Sequence, residues 1–80
     1  MTFCEKLHAY LLEEYKDVVK YNELAVTAIN KYKPIIRDMA KEEWAHAEHI
    51  KEMLYDMGET LTKEELTAHD EAKISMNGGE

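Results

Sequence analysis

With 80 residues, the chain is one small domain that buries only about 60% of its unfolded surface, so its own core gives it little stability. Its single cysteine, Cys4, excludes an internal disulfide and, with no signal sequence visible, predicts a reducing, cytoplasmic setting. The net charge of −7 argues against nucleic acid as a partner, and no apolar run is long enough to span a membrane, so we expect a core completed by a metal, a second chain or both.

Two long helices are predicted first along the chain. One runs from about residue 2 to about residue 29, and the other from about residue 34 to residue 57. A turn separates them before Pro34, because the residue before a proline disfavours the helical conformation and proline is tolerated in a first helical turn. Gly58 is placed to end the second helix in the left-handed conformation. Residues 1–58 are therefore predicted to form an antiparallel helical hairpin.

A third, shorter helix is predicted near the C-terminus. Residues 62–65 (TKEE) form a capping-box sequence, in which a threonine side chain and a glutamate side chain satisfy free backbone N–H groups at a helix start. This helix is expected to reach about Ser75, and residues 77–80 (NGGE) are expected to fray. The predicted fold is all-α, with residues 59–80 forming a short C-terminal helix and a frayed tail.

Both long helices carry an apolar stripe, with members three or four positions apart. In the first helix the stripe comprises Leu7, Leu11, Glu14, Val18, Tyr21, Ala25 and Ala28. In the second helix it comprises Ile36, Met39, Glu43, His46, Ile50, Met53 and Met57. Such stripes are expected to face a packed helix, which would bury Glu14, Glu43 and His46. Because a buried carboxylate is costly unless it is paired or binds a metal, these three residues are candidate metal ligands.

The ligand types and their stoichiometry indicate a shared site. Glu43 and His46 form a Glu-x-x-His motif, which places a carboxylate and an imidazole on one helix face. A second match, Glu5-x-x-His8, lies off the stripe and is interpreted as a chance match at the surface. One chain supplies one Glu and one Glu-x-x-His, so two chains supply the ligand set of a four-helix di-iron carboxylate bundle. We therefore expect the hairpin to dimerise into a four-helix bundle.

Residues 39–50 (MAKEEWAHAEHI) resemble the second-helix motif of rubrerythrin-type proteins of the ferritin-like superfamily. Tyr21, seven residues after Glu14, resembles the first-helix pattern of the same proteins. The short two-helix form is most similar to the encapsulated ferritins, over about residues 7–57. This resemblance implies iron ligands at Glu14, Glu43 and His46, with Glu43 as the bridge between two metals. It further implies a Tyr21 hydroxyl bonded to a ligand and, as a weaker transfer, a metal-entry role for Glu13.

The function implied by the resemblance is that of a ferroxidase, an oxidoreductase that converts Fe(II) to Fe(III) with dioxygen or peroxide for iron storage and detoxification. The cofactor would be a di-iron pair, for which Mn or Zn could substitute. The implied partners are a second copy, a ring of dimers and an encapsulin shell that houses them. Residues 73–80 do not match an encapsulin-targeting peptide, and no cysteine pairs exist for a rubredoxin centre.

Two alternatives stay open. A rubrerythrin-like protein that scavenges peroxide would use the same ligands and differ only in its oxidant. A metal-free dimerisation or adaptor module would use Glu14, Glu43 and His46 as an ion pair that sets the register of packed helices. We expect Trp44 at a helix contact and Glu48 on the solvated face, and we assign no role to His8 or His69.

Overall fold

The computed structural model describes residues 1–78, and its regular structure is helical. Its helices are α1 (Phe3–Thr27), α2 (Lys33–Asp56) and α3 (Lys63–Asn77), with a short 3-10 helix (Asn30–Tyr32) between the first two. No strand occurs within residues 1–78. The prediction of an all-α fold with a third, C-terminal helix is therefore confirmed.

Two helices begin with the same reciprocal capping arrangement. The Thr2 hydroxyl oxygen accepts from the backbone N–H of Glu5 at 3.1 Å, and the Glu5 carboxylate accepts from the backbone N–H of Thr2 at 2.8 Å. At the start of α3, Thr62 and Glu65 repeat the pair at 3.1 and 2.9 Å. Each pair satisfies N–H groups that have no partner within the helix, which fixes where α1 and α3 begin.

The connections between helices follow their proline and glycine residues. Pro34 lies in the first turn of α2, where its missing N–H removes no helical hydrogen bond. Gly58 follows α2 with a φ of 81°, a left-handed conformation that favours glycine. α3 continues through Asn77, beyond its predicted end. Of the other residues that are expected to fray, Gly79 and Glu80 lie outside the described residues.

The α1–α2 interface forms the centre of the core. On α1 the predicted stripe is buried at Leu7, Leu11, Val18 and Ala25. On α2 the buried residues are instead Ala40, Ala47 and Leu54, whereas Met39 and Met53 of the predicted stripe are exposed. The buried line of α2 is thus displaced from the predicted stripe, because its small alanines are fully buried, whereas the two isoleucines of the stripe are half-buried and its methionines are exposed.

α3 packs mainly against α1 and covers one side of the hairpin, which we call the covered flank. Its inward residues are Glu65, Ala68 and Ala72, all of which are buried. The ring of the fully buried Tyr15 lies 5.7 Å from the Trp44 ring and 5.4 Å from the His69 ring, between centroids. The prediction that Trp44 lies at a helix contact is confirmed.

The opposite side of the hairpin, the open flank, has no helix over it from residues 1–78. Its members recur at helical spacing along α1 and α2, and include Phe3, Tyr10, Glu14, Tyr21, Leu24, Ile35, Met39, Glu43, His46, Ile50 and Met53. Six of its large apolar side chains are exposed: Phe3, Tyr10, Leu24, Ile35, Met39 and Met53. One chain is therefore a small helical bundle with one apolar side uncovered. Within residues 1–78, no helix is both long and apolar enough to cross a membrane.

Candidate metal centre

Glu14, Glu43 and His46 come together near the middle of the open flank. Each contributes one ligand atom, and these atoms lie within 4.8 Å of one another. The Nδ1 atom of His46 is 3.0 Å from Oε1 of Glu43, one helical turn away, and 3.7 Å from Oε1 of Glu14 on the facing helix. The periodicity of α1 and α2 therefore brings the three sequence-predicted ligands to one point.

The three side chains differ in their exposure to solvent. The side chains of Glu14 and Glu43 are 26% and 20% exposed, whereas that of His46 is 61% exposed. The prediction of a buried His46 is therefore wrong for a single chain, because the displaced stripe turns this residue toward the edge of the flank. The site is a pair of half-buried carboxylates beneath an imidazole that faces outward.

Glu14 has the least favourable electrostatic surroundings of the three residues. Its Oε1 atom is buried and has no hydrogen-bond partner within residues 1–78, since 3.7 Å to His46 is too long for a hydrogen bond. Burial, followed by the adjacent Glu43 carboxyl, raises the pKa of Glu14 to about 7. The second carboxyl thus disfavours ionisation of Glu14, and a cation between the two side chains would reverse that effect.

The donor set fits a divalent transition metal. Two carboxylate oxygens and one imidazole nitrogen suit Fe(II), and also Mn(II) or Zn(II). The unpartnered oxygen of Glu14 provides a buried acceptor with no other use in the described part of the chain. Glu14, Glu43 and His46 would supply three donors from one chain to such an ion, fewer than the four that zinc usually takes.

Tyr21 and Glu13 are not joined to this group within one chain. Tyr21 is half-buried on the open flank, and no hydrogen bond links its hydroxyl to Glu14, Glu43 or His46 in the described structure. Glu13 is exposed and makes no ion pair among residues 1–78. The ligand-bonded Tyr21 hydroxyl and the metal-entry role of Glu13 therefore stay predictions.

Sequence reasoning missed the polar contacts of the covered flank. The Tyr15 hydroxyl donates to Oε2 of Glu48 at 2.7 Å, and Lys51 donates to Oε1 of the same carboxylate at 2.8 Å. Burial raises the pKa of Glu48, but the bonds from Lys51 and Tyr15 outweigh it and leave that pKa below its usual value. The interpretation of Glu48 as a solvated residue is wrong, because it is half-buried and bonded to Tyr15. Tyr15 belongs to a different helix, so spacing along α2 could not reveal this contact.

His8 and His69 also have structural roles that the sequence did not indicate. His8 bonds Glu59 and Glu65 through its two ring nitrogens, and His69 packs its ring against Trp44 and Tyr15. Glu5-x-x-His8 is still interpreted as a chance motif. Its histidine nevertheless has a structural role, because it bonds Glu65 and so connects α1 to α3. The partners of His8 are 51 and 57 residues away, so no local spacing could identify them.

No protein-family model, curated protein or solved structure matches this chain. The resemblance to ferritin-like proteins therefore depends on the residues of α1 and α2 alone. The proposed function depends on that resemblance and on the geometry of Glu14, Glu43 and His46.

Proposed function

We infer that the protein oxidises Fe(II) to Fe(III) at a di-iron site assembled from two copies of the chain. One observation carries this inference: Glu14, Glu43 and His46 place ligand atoms within 4.8 Å of one another, and one of these carboxylates has a buried oxygen without a hydrogen-bond partner in the described structure. A divalent cation is the ligand that two crowded carboxylates and one imidazole bind best.

The same geometry favours a metal over a simple ion pair. A protonated His46 would satisfy Glu43 at 3.0 Å, but at 3.7 Å it would leave Oε1 of Glu14 without a hydrogen bond. An ion pair that only sets the register of two helices would thus leave this acceptor of an ionised Glu14 unsatisfied, at a cost of about 1–3 kcal/mol, or would require Glu14 to stay protonated. A metal bound by all three residues removes this cost.

A second copy would complete both the coordination and the core. Two chains related by a two-fold axis bring two Glu14 residues and two Glu43-x-x-His46 pairs together, which is the ligand set of the di-iron carboxylate bundles. The apolar side chains around the site, including Tyr10, Met39 and Met53, would be covered in the same step. A metal site and a dimer interface therefore belong to one proposal.

The chemistry supplied by bound iron is one-electron oxidation of each ion. Two Fe(II) ions, as substrate, lose one electron each, and dioxygen takes both with two protons to give hydrogen peroxide. Hydrogen peroxide as acceptor would instead give two waters, which is the activity of a peroxide scavenger. Glu14 and Glu43 supply negative charge that favours the ferric product over Fe(II), and His46 supplies a neutral donor at the solvent side. The bridging role of Glu43 follows from the resemblance to encapsulated ferritins, as do a ring of dimers and an encapsulin shell.

The test is a titration of the metal-free protein with Fe(II) under air, with ferric absorbance and oligomer mass followed together. We expect rapid oxidation that saturates at two irons per two chains and a mass that increases with bound iron. A parallel titration with hydrogen peroxide under anaerobic conditions identifies the preferred oxidant. Oxidation no faster than in buffer, without metal binding, would leave the three residues as a polar register lock.

A matched pair of variants distinguishes the loss of a metal ligand from the loss of any negative charge on α2. Glu43→Ala removes a ligand, whereas Glu42→Ala removes the neighbouring, exposed carboxylate. We expect Glu43→Ala to weaken Zn(II) binding, measured by calorimetry, by at least about a hundredfold, because even residues that only support metal ligands contribute about 10–100-fold. Helical circular dichroism should be unchanged in both variants. Equal affinities for the two variants would contradict the assignment.

A further inference from the structure

The N-terminal end of α3 is held to α1 by one histidine between two carboxylates. Nδ1 of His8 is 2.8 Å from Oε2 of Glu65, and Nε2 of His8 is 3.0 Å from Oε1 of Glu59. Glu65 is only 3% exposed and also accepts from the backbone N–H of Thr62 at 2.9 Å. We call this arrangement of His8, Glu59 and Glu65 the histidine clasp.

The clasp requires a particular protonation state. A neutral imidazole carries one N–H, so it can donate to one of the two carboxylates and leaves the other facing a nitrogen lone pair. Only the imidazolium donates from both ring nitrogens. Loss of the proton removes the positive charge beside Glu65, a buried carboxylate, and leaves the imidazole one N–H for the two acids, which is a costly change for a buried charge.

The electrostatic surroundings of His8 agree with this geometry. The hydrogen bond to Glu59, opposed by burial and aided by Glu65, raises the pKa of His8 above its ordinary 6.5. The clasp is therefore fully formed below about pH 6.5 and is lost as the pH rises through the higher, folded-state pKa. Glu5, the nearest acid on α1, accepts from the Thr2 backbone, and no ion pair joins His8 to α2 in the described structure.

The other end of α3 is anchored by groups that do not titrate in this range. Asn22, which is buried on α1, donates to the Ser75 hydroxyl at 3.1 Å and accepts from Arg37 of α2 at 3.0 Å. This amide therefore joins all three helices near the C-terminal end of α3. Proton loss at His8 weakens one end of the helix and leaves the opposite end attached.

We propose that the N-terminal half of α3 is a proton-controlled flap, closed by the histidine clasp and pivoting about the Asn22 anchor. Its release uncovers the covered flank at Tyr15 and Trp44, on the side of the hairpin opposite to Glu14, Glu43 and His46. The inference does not depend on the proposed iron chemistry, because neither the clasp nor the anchor contains a candidate metal ligand.

Hydrogen exchange of the metal-free, full-length protein tests the flap. We expect protection of the α3 amides around Ala68, corrected for intrinsic exchange, to fall about tenfold or more between about pH 6 and about pH 9, the range in which a histidine with a raised pKa titrates. Protection around Ala47, at the α1–α2 interface, should change less than twofold. The opening midpoint should coincide with the pKa of His8 measured by NMR.

Three variants make the result decisive. His8→Gln keeps a single neutral donor and should abolish the pH step, whereas His49→Gln, at an exposed position, should preserve it. Glu59→Gln removes the largest contribution to the raised pKa and should move the opening midpoint to lower pH. This third variant keeps the Glu65 bond, so it stays informative if His8→Gln fails to fold. A pH step retained in His8→Gln, or a midpoint unmoved in Glu59→Gln, would overturn the proposal.

Discussion

The two flanks of the α1–α2 hairpin differ in whether their half-buried carboxylates have hydrogen-bond partners. On the covered flank, Tyr15 and Lys51 donate hydrogen bonds to the Glu48 carboxylate at 2.7 and 2.8 Å, so a half-buried charge has its partners within the chain. On the open flank, a buried oxygen of Glu14 has no hydrogen-bond partner within the described residues, and its neighbour Glu43 is also an acid. This difference is one of the observations from which we propose a bound metal and a second chain on the open flank.

The apolar side chains of the two flanks show the same contrast. Leu12, Val19 and Trp44 are partly covered by α3, whereas Tyr10, Met39 and Met53 face outward around the candidate metal centre. Contiguous apolar surface around an unsatisfied polar group is typical of an interface with a buried site. Variants that act on one flank and spare the other can test this contrast.

The largest effect is expected from charges placed on the open flank. In the double variant Met39→Lys and Met53→Lys, a dimer that buries this face must also bury two lysines from each chain. We expect dimer affinity to fall by at least about a hundredfold, since two disrupted apolar contacts at an interface core contribute more than about 2.7 kcal/mol. Analytical ultracentrifugation of the metal-free and Zn(II)-loaded protein measures this effect.

A control variant adds the same charge elsewhere on α2. Ala45→Lys combined with Glu52→Gln also raises the net charge by two, at exposed positions away from the open flank. Its self-association should match that of the unmodified protein. Equal association of both double variants would place the interface on another surface.

A smaller effect is expected on the covered flank, from Tyr15→Phe. The substitution keeps the ring contacts to Trp44 and His69 but removes the hydroxyl that donates to Glu48 at 2.7 Å. We expect a loss of about 2 kcal/mol in the free energy of unfolding by urea, the usual range for a hydrogen bond to a charged group. Zn(II) affinity should change little. A double-mutant cycle with Glu48→Gln that gave no coupling would contradict the assigned contact.

The smallest effect, and one of opposite sign, is expected from Glu14→Gln in the absence of metal. The folded-state pKa of Glu14, about 7, lies above its ordinary 4.5, so the stability it contributes when protonated is lost as the pH rises through about 7. An amide cannot ionise and can donate to Glu43, so the variant should be more stable than the unmodified chain above pH 7, by about 1 kcal/mol, and equal to it near pH 4.5.

Urea unfolding with a chelator present, repeated across this pH range, gives the difference. Glu13→Gln changes the adjacent, exposed acid and keeps Glu14. The difference in unfolding free energy between this variant and the unmodified chain should therefore not change with pH. A Glu14→Gln variant that is less stable at high pH would mean that the Glu14 carboxylate already has a cationic partner in the metal-free chain.

The sequence predicts the helices well because their ends are encoded locally. The capping residues of α3, together with Pro34 and Gly58, lie within a few positions of the helix ends they determine. Helical periodicity likewise places Glu43 and His46 on one face, and the matching stripe of α1 brings Glu14 toward them. These features require only the spacing of residues along one or two helices.

The contacts of α3 could not be predicted in this way. His8 pairs with Glu65 and Asn22 with Ser75 across more than fifty positions, and their pairing depends on which side of the hairpin α3 covers. The exposure of His46 was missed for a related reason. A stripe with a period of seven is compatible with contact to either α1 or another chain, and its spacing does not reveal that α2 buries Ala40 and Ala47 instead.

Those two alanines also affect how the proposed ligands of opposite helices meet. Ala40 and Ala47 are fully buried and have no side chain beyond Cβ, so they allow α2 to approach another helix closely. In the proposed metal site, such an approach would bring the backbones of Glu14 and Glu43 within reach of one ion. The alanines would then help to position metal ligands without touching the ion themselves.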